Sequence, residues 1–93
     1  MLTYKAMYKF VDPQVHAEVL DFPGVITCGH SLDEARRLLS SALVDMAEIS
    51  LQNGEPLPMP DPMMTHPDAD LEEPIHLLLS AAQHIELVAA GVS

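Results

Sequence analysis

The segment Ser31–Gly54, SLDEARRLLSSALVDMAEISLQNG, decides the fold, because it is the one long helical pattern in the chain and both of its ends are marked. Ser31 is a favourable N-cap, and Glu34 completes a capping box in which the Glu carboxylate reaches back to the Ser amide. Gly54 supplies the left-handed residue that ends a helix, and Pro56 prevents the helix from resuming. We therefore predict a helix of about 20 residues between these caps.

The predicted helix has one apolar side. Its apolar residues recur at three- and four-residue steps, which is the spacing of one helix face. A helix with a single apolar side needs a surface to cover it, and the rest of the chain is expected to supply a sheet. The predicted stripe consists of Ala35, Leu38, Leu39, Ala42, Met46 and Ile49.

Three short strands are predicted before the helix: Leu2–Val11, Val15–Leu20 and Val25–Cys28. The first alternates with aromatic residues on one side, the two-residue period of a strand with one buried face. Short turns join the strands into an antiparallel meander. We expect the helix to lie on the aromatic face, which gives a two-layer α+β fold, and we expect Cys28 to be a buried, inert thiol.

The opposite face of the sheet is expected to be partly apolar, and an apolar patch of that kind needs a partner. We expect a homodimer or tetramer through this face or through an edge strand. The alternative is that the acidic connection after the helix covers the patch. The apolar residues expected there are Met7, Val11, Leu20, Ile26 and Leu78.

Residues 55–74 form an acidic, proline-rich connection. Proline at every second position from Pro56 to Pro62 excludes helix and central strand and favours extended backbone. We expect the connection to run along the surface, with Leu57, Met59 and one of Met63 and Met64 packed on apolar residues. The alternative is a flexible segment.

A fourth strand is predicted at residues 75–80. Residues 84–89 are predicted as a fifth strand, and the alternative is a short helix over residues 81–90. The chain is expected to be a single domain, residues 1–93. Its parts would be a core of strands and helix at 1–54, the connection at 55–74 and C-terminal strands at 75–90.

The charge of the chain is one-sided, because 14 acidic residues face only 4 basic ones and the net charge is −10. Nucleic-acid binding needs basic side chains at the phosphates, and no Lys or Arg follows Arg37. We therefore expect no DNA binding through this chain alone, nor room for a separate DNA-binding unit after the domain. The acid excess favours a basic partner, or serves solubility alone. Neither a signal peptide nor a membrane span is recognised, so we expect a cytoplasmic protein.

The densest acidic cluster is the candidate partner-binding site, and a solvated acidic loop is the alternative. Such a surface would pair with Lys and Arg of a basic protein and speed their encounter. The candidate residues are Asp61, Asp68, Asp70, Glu72 and Glu73.

No catalytic, cofactor or metal residue is predicted. The five histidines lack the tight spacing of a zinc site, and Cys28 stands alone. Cys28 and His30 are too close along one strand to face each other as nucleophile and base. We therefore expect a protein that is not an enzyme.

Several short sequence motifs, taken together, resemble the HicB-like antitoxin family over roughly the first 60 residues. These motifs mark two turns and the start of a helix. They are Phe22-Pro23-Gly24 with Thr27-x-Gly29, the helix start Ser31-Leu-Asp-Glu34-Ala, and Gly54-Glu-Pro at the helix end. The resemblance implies a partial ribonuclease-H-like domain of a single-domain member. It also implies the role of antitoxin to HicA, a small basic ribonuclease toxin that degrades messenger RNA.

The same resemblance raises nuclease chemistry, which needs several carboxylates converging on two metal ions. The strands carry Glu18 and Asp21 but no acid on the first strand, so we expect no nuclease. The alternative function is a stand-alone oligomeric domain with a regulatory or structural role and no toxin partner.

Overall fold

The computed structural model describes residues 1–78, in which a four-stranded antiparallel sheet carries one helix. The strand order is β3-β2-β1-β4. The two-layer α+β fold is therefore confirmed, with the meander, the long helix and a further strand. The predicted fifth strand and its helical alternative lie outside the described residues. The elements are β1 Leu2–Val11, β2 Gln14–Val19, β3 Ile26–Gly29, α1 Leu32–Gln52 and β4 Leu71–Leu77.

The N-terminus of α1 is capped nearly as predicted. The Glu34 amide donates to Ser31 Oγ at 3.1 Å. The Glu34 carboxylate, however, accepts from the amide of His30 at 2.7 Å rather than from that of Ser31. The reciprocal bond thus ties down the residue before the cap, which fixes the chain's path from β3 into the helix.

The C-terminus of α1 is closed by a Schellman motif. Gly54 has a φ of +72°, the left-handed conformation that glycine adopts without strain. Its amide donates to Leu51 O at 3.1 Å, and the Glu55 amide donates to Ser50 O at 2.8 Å. These bonds satisfy carbonyls that the helix itself leaves free.

The predicted apolar stripe of α1 was wrong in part. The buried residues follow strict four-residue steps: Ala35, Leu39, Leu43 and Ala47. Leu38 is 38% exposed and Ile49 is also exposed, whereas Ala42 and Met46 are half-buried beside the core. The sheet contacts a narrow row of side chains, and Leu38 and Ile49 lie about 100° round the helix from that row.

The core forms between this row and the aromatic face of β1, as predicted. Tyr4 and Tyr8 are buried, and the Tyr4 ring meets Phe22 edge-on with ring centroids 5.3 Å apart. The end of β3 lies directly against the start of α1. A Cβ added at Gly29 would stand 2.8 Å from Ala35 N, so this approach requires glycine.

β4 begins at Leu71, four residues before the predicted start, and it contains Pro74. Pro74 pairs with Lys5 of β1, whose own amide donates toward the β2 side, to Asp21 Oδ1 at 2.8 Å. The backbone groups of this pair therefore point away from each other. Proline is tolerated because its missing N–H would face the outer edge of the sheet, where no strand of residues 1–78 pairs.

The open face, meaning the sheet face opposite α1, is covered over one half by the connection between α1 and β4. Lys5 Nζ donates to Pro62 O at 2.9 Å, and Thr65 bonds to Glu72, which is opposite Met7 in the β1–β4 pairing. Met7 is consequently only 1% exposed. On the other half, beside β3, Ile26 is 57% exposed.

Two predictions about single side chains were wrong. Cys28 is exposed rather than buried, because it lies opposite His16 on the open face and not on the helix face. Met59 is 83% exposed, since the connection packs through Leu57 and is held by Tyr4 Oη donating to Pro58 O at 2.7 Å. Within residues 1–78, no helix combines the length and the apolar character needed to cross a membrane.

Candidate partner-binding surface

The five acidic residues predicted to bind a partner fall into three groups rather than one patch. Glu72 and Glu73 are neighbours in β4, so their side chains point to opposite faces of the sheet. Asp61, Asp68 and Asp70 lie on the connection and are exposed.

Glu73 is held on the helix side of the sheet. Both of its carboxylate oxygens accept from Arg36 of α1, from Nε and Nη2, each at 2.9 Å. The two hydrogen bonds from Arg36 lower the pKa of Glu73, against the opposing effect of burial. A bidentate contact of this kind joins α1 to β4 and leaves Glu73 little freedom to bind another protein.

Tyr8 lies beside this ion pair. The Arg36 guanidinium sits over the Tyr8 ring, 5.9 Å from its centroid. Burial, and then the charge of Glu73, raise the pKa of Tyr8 to about 12. The Tyr8 hydroxyl is therefore neutral at physiological pH, and the three side chains form one contact between helix and sheet.

Glu72 is held on the open face. One carboxylate oxygen accepts from Thr65 Oγ1 at 2.7 Å and from the His66 amide at 3.0 Å, and the other lies 3.7 Å from Lys5 Nζ. The His66 amide, followed by the Thr65 hydroxyl, lowers the pKa of Glu72. The carboxylate thus fixes the connection to the sheet.

Asp70 and Asp61 each use part of their hydrogen-bonding capacity locally. Asp70 Oδ2 accepts from the Phe10 amide at 2.7 Å, which extends the β1–β4 pairing by one bond. Asp61 Oδ1 accepts from the Met63 amide at 3.0 Å. Among residues 1–78, the Asp68 carboxylate makes no hydrogen bond or ion pair.

Asp21 is the residue that the sequence did not single out for this region. It is 6% exposed, and its two oxygens accept from the amides of Lys5 and Asp61, each at 2.8 Å. One carboxylate therefore links β1 to the connection. A lone acid after a strand gives no periodic signal, so the sequence could not assign this role.

The outer surface of the connection combines exposed acids with exposed methionines. We call Met59–Asp70 the acidic connection surface. Met59 and Met63 are 83% and 85% exposed although hydrogen bonds hold the backbone around them. Methionine side chains adapt to irregular apolar partners, and carboxylates attract basic ones. The surface therefore combines negative charge with exposed apolar side chains.

The described part of the chain does not bring acidic or metal-binding side chains together in one place, as nuclease or metal chemistry would need. Glu18 Oε2 lies 2.8 Å from His16 Nε2, and Asp21 is buried among backbone amides. No group of three His, Cys, Asp or Glu residues within 1–78 is placed to hold a metal ion.

No protein-family model and no curated protein sequence matches this chain. Several solved chains match this fold, and two of them illustrate the likeness. The antitoxin HicB of Burkholderia pseudomallei superposes with a TM-score of 0.74 at 20% identity, over 87% of this chain and 65% of that one. The N-terminal domain of the same antitoxin gives a TM-score of 0.68 at 19% identity, over 84% of this chain and 100% of that one.

These likenesses show the fold. The chain has a HicB-like fold, as the sequence phrases predicted, and it corresponds to about two thirds of the full-length antitoxin's length. The Phe22-Pro23-Gly24 turn and the two helix caps are the parts of the predicted motif that shape it. Gly24 has a φ of +93° in that turn.

Proposed function

We propose that this protein is an antitoxin-like binding module that neutralises a small basic HicA-type ribonuclease by direct contact. The HicB-like fold is the observation that carries the proposal. The protein acts as a binding partner rather than as an enzyme, and it works in the cytoplasm, where such a toxin would meet messenger RNA.

The acidic connection surface is the proposed contact. Glu72 and Glu73 are engaged with Lys5 and Arg36, so Asp61, Asp68 and Asp70 are the predicted acids with the most capacity left for a partner. The exposed methionines beside them supply adaptable apolar contacts, and methionine is enriched at protein interfaces. Glu72 and Glu73 contribute indirectly, because Glu72 holds the connection on the sheet and Glu73 holds β4 against α1.

Co-expression with HicA-type toxins encoded in the same genome tests the proposal. We expect the full chain to restore growth and to bind the purified, inactivated toxin in isothermal titration calorimetry. No growth rescue and no binding by any such toxin would overturn the proposal.

The contact surface is tested with two matched variants of the same chain. Met59→Ser combined with Met63→Ser should weaken toxin binding by about tenfold or more, because it removes two apolar anchors. Ile49→Ser, which changes an exposed apolar residue on α1, should leave the affinity unchanged. Equal losses from both variants would place the contact elsewhere.

A stand-alone oligomeric domain is the second candidate function. The half of the open face beside β3 favours this function. Exposed apolar residues there are not covered by any other segment of residues 1–78. Self-association and toxin binding are compatible, because they would use different surfaces.

A further inference from the structure

We propose that the free edge of β3 pairs antiparallel with the β3 edge of a second copy, so that two sheets join into one about a twofold axis at Thr27. The proposal does not depend on a toxin partner. It follows from the direction of the backbone groups along β3, the charge of the surrounding segment and the obstruction of the opposite edge.

Within residues 1–78, nothing pairs with the outer edge of β3, so its backbone leaves hydrogen-bonding groups unpaired there. The Val19 amide donates to Val25 O at 2.9 Å, which makes that pair a hydrogen-bonded one. Alternate residues of an antiparallel strand point their backbone groups to opposite sides. Those of Thr27 therefore face β2, and those of Ile26 and Cys28 face the free edge.

The side chains along this edge are uncharged, and two of them, those of Ile26 and Cys28, are exposed. No Asp, Glu, Lys or Arg occurs from Phe22 to Leu32, although the chain as a whole has a net charge of −10. Ile26 and Cys28 are exposed on the half of the open face that the connection leaves uncovered. A second copy can therefore approach here without bringing like charges together, which it could not do at the acidic connection.

The opposite edge of the sheet, at β4, is unsuited to strand addition. Pro74 directs its backbone groups to that edge and has no N–H to donate, which is a common device against edge pairing. If β3 of one copy paired with β4 of another, the pairing would lack one backbone N–H donor, at Pro74. Pairing of β3 with β3 uses the one suitable sheet edge that residues 1–78 present, so assembly closes at two.

The geometry fixes the register. With the twofold axis at Thr27, Ile26 of each copy pairs with Cys28 of the other, which forms about four backbone hydrogen bonds. The two Thr27 residues then face each other as a non-hydrogen-bonded pair with Cα atoms about 4.5 Å apart, within the range of a disulfide. β3 has only four residues, so the dimer is expected to be weak.

Sedimentation equilibrium of the full chain tests the association. The average mass should rise from 10.2 kDa toward twice that value between about 10 µM and about 1 mM, the range that a small interface requires. Ile26→Lys should keep the chain monomeric, because it places like charges at the seam and alters only an exposed side chain. A wild-type mass that stays at one copy, that exceeds two copies, or that is matched by Ile26→Lys overturns the proposal.

Oxidative cross-linking tests the register. Thr27→Cys in a Cys28→Ser background should form a covalent dimer readily under mild oxidant. His76→Cys in the same background is the control, because it places a thiol on the obstructed edge at β4. Equal cross-linking of the two variants, or none from Thr27→Cys in samples whose circular dichroism matches the wild type, overturns the proposal.

Discussion

At the scale of single residues, the most informative side chain is Asp21. A carboxylate that is 6% exposed would be costly to bury without partners, and Asp21 has two backbone amides, those of Lys5 and Asp61. Its charge also contributes to the raised pKa of Tyr4, after the larger effect of burial. Asp21 therefore serves the path of the chain rather than metal or nuclease chemistry.

Replacing Asp21 by Ala should lower the free energy of unfolding by about 2–4 kcal/mol, because two part-buried amides lose a charged acceptor. Asp21→Asn keeps one acceptor oxygen and should cost less. Urea unfolding followed by circular dichroism measures both. Asp45→Ala, on the exposed side of α1, is the control, and a loss as small as its own would contradict this role.

At the scale of elements, α1 contacts the sheet through a narrow row of small and medium side chains. Ala35 and Ala47 let the helix approach closely, and Leu39 and Leu43 fill the centre of the core. The bidentate contact between Arg36 and Glu73 adds a polar tie to β4 at the edge of this row. The helix is thus fixed by packing at its centre and by an ion pair at its side.

The row of buried residues predicts different costs for two adjacent leucines. Leu39→Ala should destabilise the fold by about 2–5 kcal/mol, since Leu39 is fully buried and its loss leaves a cavity. Leu38→Ala is the matched control and should cost well under half of that. Chemical denaturation measures both free energies. Similar losses would mean that the helix is rotated about its axis relative to this description.

The contact between Arg36 and Glu73 predicts a pH dependence. The folded pKa of Glu73 lies below its ordinary value of 4.5, so this contribution is complete above that pH and is lost as the pH falls through the folded pKa. Wild type should therefore be more stable than Glu73→Gln at pH 7, and the difference should shrink below pH 4.5.

Urea unfolding at a series of pH values measures this difference. Glu55→Gln, which alters an exposed acid outside the contact, is the control and should follow the wild type throughout. A difference between wild type and Glu73→Gln that stays constant into the acid range would show that the ion pair does not stabilise the fold.

At the scale of the whole molecule, the net charge of −10 is carried by acids that have few free basic neighbours. Lys5, Arg36 and Arg37 each lie within 4 Å of a carboxylate oxygen of the same chain. Most of the positive charge is therefore balanced locally, and the remaining acids dominate the field that an approaching protein meets. This field is the physical basis of the proposed preference for a basic partner at the connection and of the proposed self-association at an uncharged edge.

The field predicts a salt-dependent association with a basic toxin. The association rate should fall by about tenfold or more between about 50 mM and 500 mM NaCl, because salt screens the steering charges. Asp61→Asn with Asp68→Asn and Asp70→Asn should flatten this dependence, as stopped-flow mixing would show.

A control with the same loss of charge separates local steering from net charge. Asp12→Asn with Asp45→Asn and Glu48→Gln removes three acids away from the connection, and it should retain most of the salt dependence. If both triple variants behave alike, the acidic connection surface has no special role in the encounter.

Local sequence patterns were enough to assign the elements of residues 1–78 and their order along the chain. Capping residues, the strand alternation and turn residues act over a few neighbouring positions, so Ser31, Glu34 and Gly54 could be assigned before any coordinates. The motif from Phe22 to Gly29 indicated the HicB-like fold, because it too is formed by neighbouring residues.

Which residues face one another could be learned only from the folded arrangement. The burial of Asp21, the engagement of Glu72 and Glu73, and the exposure of Cys28 all depend on register and on the path of the connection. These are contacts between residues far apart in the chain, and a local pattern carries no information about them. The candidate surface was therefore only partly predictable: its acids could be found, but their existing partners could not.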